Sequence, residues 1–183
     1  MENNLNIVVY TGGTCGDLVG AIIDPQCASI QGSTMFLDPL QQRLKKPHNF
    51  SNDEEKDSYI NSIKFKSIVS HDIEYHKRKN HRFISIIVDD FNLAMWAASR
   101  FKNLHRHHVW EEMQQVSNVN TVEEYAQLLI DYSNMAKLFA SYTINLSDII
   151  SGQAIKKLTE IVEISNTSTS LYEQWLKANK LYD

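Results

Sequence analysis

The sequence predicts an α/β protein, a three-layer sandwich in which helices cover both faces of a mainly parallel sheet. Segments typical of strands alternate with segments typical of helices along the 183 residues, and such alternation builds parallel sheets. Phe83–Val88 is apolar almost throughout, which indicates a strand buried on both faces. The first strand, Ile7–Tyr10, leads into a glycine-rich turn and then a helix. We expect one domain over residues 1–183, with an irregular or helical excursion at 25–62.

Local signals place the other elements. Pro25 disfavours helical backbone in the residue before it, so the first helix is expected to span Leu18 to about Asp24. A second strand is expected within Phe65–Asp72, and a helix begins at Phe91, directly after the apolar strand. Other expected elements are short helices around 38–46 and 51–63, a short strand with a helix start in 142–149, and an amphipathic helix in 155–164.

Two segments have the pattern of a capping box, in which two side chains satisfy amide groups at the start of a helix. Thr121 and Glu124 precede a long helix, and Ser170 and Glu173 precede the last one. Apolar residues recur at helical spacing after Thr121, which predicts a single buried face. These residues are Val122, Tyr125, Leu128, Leu129, Tyr132, Met135 and Phe139.

Composition excludes several classes of protein. Apolar residues make up 43% of the chain and charged residues 22%, the usual balance of a globular protein. The longest apolar run is far short of the roughly 20 residues that cross a bilayer, so no membrane association is expected. A net charge of −4 argues against general nucleic-acid binding. Two cysteines, Cys15 and Cys27, give no disulfide or metal framework, and the polar N-terminus is unlike a secretory signal, which favours the cytoplasm.

Charge is unevenly distributed along the chain. Residues 76–82 and 100–108 are basic, whereas residues 52–57 are acidic. The basic segments would suit an anionic ligand, but a solvated surface of mixed charge is the simpler explanation.

The glycine-rich turn Thr11–Asp17 gives the strongest indication of function. A strand, a glycine turn and a helix form the arrangement that holds phosphate on backbone amides. When the turn is aligned on Gly16 with the standard nucleotide-binding loop, Asp17 replaces the lysine and Leu18 replaces the magnesium-binding hydroxyl. A carboxylate at a helix start is itself favourable by about 0.3–1 kcal/mol. The turn is therefore either an adapted anion site or a helix start that Asp17 caps in place of an anion.

In open parallel sheets, ligands bind outside the carboxyl ends of the strands. Three segments fit that rule and are expected to meet in one cleft: Thr11–Asp17, Ser70–Asp72 and Asp89–Asn92. His71, beside Asp72, is either a general base or a structural histidine. The candidate ligand-binding residues of the first segment are Thr11, Gly12, Gly13, Thr14, Cys15, Gly16 and Asp17.

Other reactive side chains have simpler explanations. The pair Asp89-Asp90 either binds magnesium or caps the next helix. His105, His107 and His108 lack the further ligands of a zinc site, so no metal site is predicted. Cys15 lies at a helix start, where the pKa of a thiol tends to fall, but the sequence offers no evident partner base.

The order of these pieces resembles the sulfotransferase branch of the P-loop fold. That family opens with a strand and a loop of the type PKSGTTWL, whose helix start holds the 5′-phosphosulfate of the donor PAPS; TGGTCGDLVGAIID has the same placement. The family continues with a strand ending in KTH and then VIYVARNPKDVAVSYYHF, a layout similar to SIVSHDIEYHKRKNHRFISIIVDDFNLAMWAASRF. YTINLSDIISGQAIKKLTEIVEI resembles a later strand and helix of the family. The resemblance covers most of the chain except Pro25–Ser62 and implies a P-loop-type, sulfotransferase-like fold.

The resemblance also implies roles for single residues. His71 falls on the histidine that deprotonates the acceptor hydroxyl, and the loop lysine falls on Gly13. The arginine that binds the 3′-phosphate of the donor falls on Asp89, and its partner serine falls near Ala97, with Ser99 one helical step away. An aspartate close to a phosphate costs about 4 kcal/mol at intermediate dielectric, so ordinary PAPS binding is not expected.

These observations favour a non-catalytic binding or structural protein that keeps a P-loop-type scaffold with a degenerate donor site. The alternative is a small sulfotransferase-like transferase that uses a phosphate-bearing donor, with His71 as general base; a nucleotide kinase ranks third because the lysine is absent. The cofactor is left open between PAPS and a related phosphate-bearing nucleotide. An anionic or nucleotide ligand and a protein partner both fit this hypothesis. Short, asparagine-rich chains of this kind also resemble bacteriophage reading frames, which would place the protein in the host cytoplasm or in the virion.

Overall fold

The computed structural model describes residues 5–24, 52–62, 66–104, 110–111, 114 and 118–178. Its strands are β1 (Asn6–Val9), β2 (Ser67–Ser70), β3 (Phe83–Ile87) and β4 (Tyr142–Asn145). They form one sheet in the order β2-β1-β3-β4, and all neighbouring strands are parallel. The first strand and the apolar strand are therefore adjacent and central, as predicted.

A helix follows each strand of the described sheet. The described helices are α1 (Gly16–Ile23), α2 (Asp53–Ser62), α3 (Ile73–Arg78), α4 (Phe91–Leu104), α5 (Val122–Phe139), α6 (Leu146–Ile150), α7 (Ala154–Thr159) and α8 (Asn166–Ala178). The mixed α/β class predicted from the sequence is confirmed. None of the described helices has both the length and the apolar character needed to cross a lipid bilayer.

Each face of the sheet carries its own hydrophobic core. Val8 and Ile84 belong to a large cluster that includes residues of α1, α4, α5 and α8. Ile7 and Phe83, their neighbours in sequence, point to the other face and pack with Ala136 of α5. Because successive side chains of a strand point to opposite faces, strands covered on both sides need apolar residues at nearly every position. The near-continuous apolar pattern of Phe83–Val88 reflects this double burial.

The first of the two predicted capping boxes is confirmed. The hydroxyl of Thr121 accepts a hydrogen bond from the amide of Glu124 at 3.1 Å, and the Glu124 carboxylate accepts one from the amide of Thr121. The prediction for Ser170 is wrong, because α8 begins at Asn166 and Ser170 lies inside it. The amide of Ser168 instead donates to the hydroxyl of Ser165, so the helix start is capped five residues earlier in the chain than expected.

Several element boundaries differ from the sequence expectations. Helix α3 was not expected; it shortens the second strand, because Asp72 accepts a hydrogen bond from the amide of Tyr75 and begins a helix instead. The amphipathic helix expected over 155–164 ends at Thr159. The helix expected at 38–46 lies outside the described residues.

The acidic and basic segments neutralise each other across the α2–α3 contact. Asp53 pairs with Arg78 at 3.0 Å, and Asp57 pairs with Lys79 at 2.6 Å. The basic residues 76–82 come just before β3, so they lie at the amino end of the sheet, opposite the glycine turn. This segment therefore does not form a basic surface beside the turn.

Candidate functional site

The turn Thr11–Asp17 lies at the carboxyl end of β1 and is tied to the neighbouring strand. The amide of Tyr10 donates to the carbonyl of Ser70 at 3.0 Å. Within the turn, the amide and the hydroxyl of Thr14 both donate to the carbonyl of Thr11, at 3.2 and 2.7 Å. Thr14 is fully buried, so the turn is held by its own polar groups as well as by the sheet.

The first two glycines of the turn are seated against α4. A Cβ atom on Gly12 would overlap the ring of Phe101, and one on Gly13 would overlap the carbonyl of Ala97. Gly13 also has a φ of 87°, a backbone conformation that favours glycine. From the other side, the hydroxyl of Tyr125 donates to the carbonyl of Gly12 at 3.1 Å. Close packing therefore accounts for both glycines.

The start of α1 is formed by Cys15 and Gly16. Cys15 adopts a left-handed conformation with a φ of 63° and makes no side-chain cap hydrogen bond. A Cβ atom on Gly16 would overlap the ring of Tyr10. Asp17 lies in the first turn of the helix and Cys15 occupies the N-cap position, so the alternative in which Asp17 is itself the cap residue does not hold. Its carboxylate is still favourable near the positive end of the helix dipole.

The environment of Cys15 raises the pKa of its thiol. Burial raises the pKa of Cys15 to about 12; the positive charge of Arg100 opposes this rise and the negative charge of Asp17 adds to it. The helix start does not lower the thiol pKa as expected, because the side chain packs against the large hydrophobic core. Since the thiolate is the nucleophilic form, Cys15 is a poor nucleophile near neutral pH.

His71 meets the glycine turn, as predicted for the convergent strand ends. It follows β2 directly, and its Nδ1 lies 2.8 Å from the carbonyl oxygen of Tyr10, the residue before the turn. Because a carbonyl can only accept, Nδ1 carries the proton and the lone pair of the neutral ring lies on Nε2. The rings of His71 and Tyr10 are also in contact, with centroids 4.2 Å apart. The arrangement resembles that of a general base oriented by a backbone carbonyl.

The carboxylate of Asp72 bonds to Lys56 and Tyr75 and not to His71. One of its carboxylate oxygens lies 2.6 Å from the ammonium of Lys56, and the other accepts from the amide of Tyr75. Burial pushes the pKa of Asp72 upward, but the hydrogen bonds from Lys56 and from the Tyr75 amide outweigh burial and hold the pKa below its usual value. Asp72 thus serves as a helix cap and as the partner of a buried lysine.

The two aspartates after β3 have different roles. Asp90 accepts a hydrogen bond from the amide of Leu93 at 2.9 Å, which confirms the capping interpretation for this residue. Asp89 is exposed and lies 3.9 Å from the ammonium of Lys137. Ser99 is partly buried in the middle of α4, the helix against which the turn packs.

Arg100, which the sequence analysis included only as the first residue of the basic segment 100–108, is a cation beside the turn. Its guanidinium lies 5.4 Å from the ring centroid of Trp96 and 5.6 Å from that of Trp175. Its positive charge lowers the pKa of the Cys15 thiol through a Coulomb interaction, although burial raises that pKa by more. In the part of the chain that the structure describes, no carboxylate forms an ion pair with Arg100. The contact between Trp96 and Arg100 could be predicted from the sequence, because residues four apart in a helix lie on the same face. The contact with Trp175 could not be predicted, because that residue lies in α8, far along the chain.

No metal site emerges from the described ranges, in which no three His, Cys, Asp or Glu residues are grouped closely enough to hold an ion. His105, His107 and His108 lie outside those ranges.

Comparisons with protein-family models, with curated proteins and with solved structures find no match to this chain.

Proposed function

We propose that this protein is a non-catalytic binding protein on a P-loop-type, sulfotransferase-like scaffold, and that it binds an anionic, phosphate-bearing ligand at the turn Thr11–Asp17. The observation that carries the non-catalytic part of the proposal is the packing of the turn. Its glycines fit against protein side chains and backbone, which fixes the shape of the turn without supplying the charge that group transfer requires. Gly13 stands where the related loop has a lysine, and a hydrogen atom cannot stabilise a leaving phosphate.

Two features of the site attract an anion. The amide groups at the start of α1 lie at the positive end of the helix dipole, and this end favours negative charge. Arg100 adds a full positive charge whose position is set by two tryptophan rings. Asp17 opposes both effects, so we expect modest affinity and a preference for ligands whose negative charge lies nearer Arg100 than Asp17.

A second candidate function is favoured by one observation, the orientation of His71. With Nδ1 bonded to the carbonyl of Tyr10, Nε2 is the atom that would accept a proton from an acceptor hydroxyl. A small group-transfer enzyme would use His71 in this way and the turn to hold a phosphate-bearing donor. Such an enzyme would still lack the loop lysine that stabilises the departing group, and electrostatic stabilisation of this kind is commonly the largest contribution to catalysis.

A ligand panel followed by thermal unfolding tests the proposal. The panel contains PAPS, its 3′,5′-bisphosphate product, ATP with magnesium, and sugar nucleotides. A ligand at 100 times its dissociation constant should add about 2.7 kcal/mol of stability. Arg100→Gln should abolish that gain, whereas Arg82→Gln, which removes a cation held by the ring of Tyr142 elsewhere in the fold, should leave it unchanged.

The same panel separates binding from catalysis. Asp89→Arg should improve binding of the bisphosphate, because the change removes repulsion and adds a bidentate donor. Turnover of PAPS with a phenol at ordinary enzyme rates, lost in His71→Asn, would contradict the non-catalytic proposal and support the transferase. If no member of the panel stabilises the wild type or Asp89→Arg, the turn is a structural feature and the binding proposal is wrong.

A further inference from the structure

Helix α3 ends in a Schellman motif, in which two amides beyond the helix satisfy its last free carbonyls. The amide of His81 donates to the carbonyl of His76 at 3.0 Å, and the amide of Asn80 donates to that of Lys77 at 3.1 Å. Asn80 has a φ of 52°, the left-handed conformation that the motif requires. An apolar contact between the two residues at the positions of His76 and His81 frequently accompanies this motif. Two histidines take its place here.

The imidazole rings of His76 and His81 face each other and form what we name the histidine clasp. Their Nδ1 atoms are 3.1 Å apart. The ring of Tyr75 packs against both, with centroids at 4.9 and 5.6 Å. His76 is fully buried and its Nε2 has no hydrogen-bond partner in the described structure, whereas His81 is half-buried.

Hydrogen-bond chemistry decides where the protons of the closed clasp lie. The two facing nitrogens bond only when one of them carries a hydrogen and the other a lone pair. Buried N–H groups without an acceptor are rare, so the hydrogen of His76 lies on Nδ1 and its buried Nε2 is bare. His81 then accepts through Nδ1 and carries its own hydrogen on Nε2. One lone pair of the clasp is therefore used in the bond and the other is buried.

Added protons work against this arrangement. If His81 takes up a proton, both of its nitrogens become donors, and His76 has to move its hydrogen to Nε2, where no described group accepts it. A second proton would place hydrogens on both facing Nδ1 atoms and two positive charges side by side. The closed clasp thus excludes protons that the separated rings would bind freely near the ordinary histidine pKa.

The charges around the clasp act in both directions. Burial is the largest influence and lowers the pKa of both histidines. The charge of Asp72 raises the pKa of His76 and that of Lys56 lowers it, while Asp57 and Lys79 have the same opposed effects on His81. Burial raises the pKa of Tyr75 and of Tyr132, so both stay neutral in acid. The other charged residues near the pair bond elsewhere: Asp53 to Arg78, Glu74 to Lys77, and Arg82 to Tyr142.

We propose that the histidine clasp is a pH-sensitive switch: in mild acid both imidazoles bind protons, the clasp separates, and α3 opens while the sheet stays folded. Opening removes the amide of Tyr75 from Asp72, the residue that caps α3. Asp72 directly follows His71, whose ring is bonded to the residue before the glycine turn. The open form therefore changes the segment beside that turn, whether or not the turn binds the ligand proposed above.

Amide hydrogen exchange of the full chain, followed by NMR between about pH 6 and about pH 5, tests the switch. Protection factors, which correct for the intrinsic pH dependence of exchange, are compared for the amides of Lys79, Asn80 and His81. Each proton bound on opening lowers protection about tenfold per pH unit, so a fall of about ten- to a hundredfold is expected. The amide of Val162, which donates to the carbonyl of Leu158 just after α7, is the control for opening without a histidine and should change less than about twofold.

Two variants assign the effect to the clasp. The double variant His76→Leu/His81→Leu restores the apolar contact usual in this motif, and protection at its α3 end should vary less than about twofold over the same range. Asn80→Gly keeps both histidines and eases the left-handed turn, so protection should rise by one factor at every pH while the slope is retained.

Three results would overturn the proposal. The first is protection at Lys79, Asn80 and His81 that varies with pH no more than that of Val162. The second is protection at these amides equal to that of the amides of β1 and β3 at every pH, since α3 would then open only when the whole chain unfolds. The third is an unchanged slope in the double leucine variant. If that variant does not fold, the slopes of the wild type and of Asn80→Gly decide the question, because a switch requires both to be steep.

Discussion

The buried imidazole of His76 predicts a loss of stability in mild acid. His76 lies in α3 with no solvent exposure, beside the rings of Tyr75 and Phe83. Its Nδ1 is 3.1 Å from Nδ1 of His81, and its Nε2 has no hydrogen-bond partner in the described structure. Burial lowers the pKa of His76 to about 3, the charge of His81 adds to that effect, and the charge of Asp72 opposes it.

The sign and size of the effect follow from proton linkage. Between the ordinary histidine pKa of 6.5 and the folded value of about 3, the unfolded chain binds a proton that the folded chain does not. The contribution of His76 is therefore complete above pH 6.5 and falls by about 1.36 kcal/mol per pH unit below it. Acidification from about pH 7 to about pH 5 should lower the free energy of unfolding by about 2 kcal/mol. The pKa of His81 is also lowered by burial, so this residue contributes in the same direction.

Urea unfolding followed by tryptophan fluorescence measures this change. The carboxylates of Asp57 and Asp72, whose pKa values lie below the usual 3.8, contribute only at lower pH, so the range above about pH 5 isolates the histidines. In His76→Phe the pH dependence should shrink to the part that His81 contributes. A wild-type free energy of unfolding that stays within about 0.5 kcal/mol over this range would refute the reasoning, as would an unchanged slope in His76→Phe.

Two further predictions concern the glycine turn. Gly16→Ala should destabilise the protein by about 1–3 kcal/mol, because the added Cβ overlaps the ring of Tyr10. Tyr10→Ala should relieve that cost in the double variant, and additive losses in a double-mutant cycle of urea unfolding would contradict the overlap. In a Cys27→Ser background, the thiol of Cys15 should react with Ellman's reagent at about pH 8 about a thousandfold more slowly than in urea, since its pKa rises from 9.0 to about 12. Rapid labelling of the folded protein would show that the thiol is accessible and ionised.

The sequence predicts the central sheet well because burial on both faces leaves a direct record in the residues. Phe83–Ile87 is apolar at almost every position, because successive side chains of this strand face two different hydrophobic cores. The sequence of helix α3 has no comparable pattern of apolar residues. Its six residues carry no apolar period, and it is fixed by the cap at Asp72 and by ion pairs from α2, such as Asp53 to Arg78, which link residues distant in the chain.

The position of the candidate site could also be predicted, but not the role of its glycines. The rule that ligands bind at the carboxyl ends of parallel strands selects the turn and His71, and the structure brings them together. The same glycine spacing serves either close approach to a phosphate or close packing of the chain on itself. Only the placement of Tyr10, Phe101 and Ala97, two of them in a helix far along the sequence, shows that packing requires a glycine at each position.

Whether the glycines serve packing or the approach of a phosphate matters more for catalysis than for binding. Group transfer needs fixed charge at the atoms where charge develops in the transition state. A turn whose glycines fit against aromatic rings and a backbone carbonyl is rigid, and rigidity preserves a shape but cannot replace a missing cation. Arg100 adds positive charge nearby, but its guanidinium lies 5.4 and 5.6 Å from the ring centroids of Trp96 and Trp175, and these contacts favour one position of the charge over movement with a departing group. Under the function proposed above, such an arrangement would stabilise a bound anion equally in the ground state and in the transition state, and equal stabilisation of the two gives binding without rate enhancement.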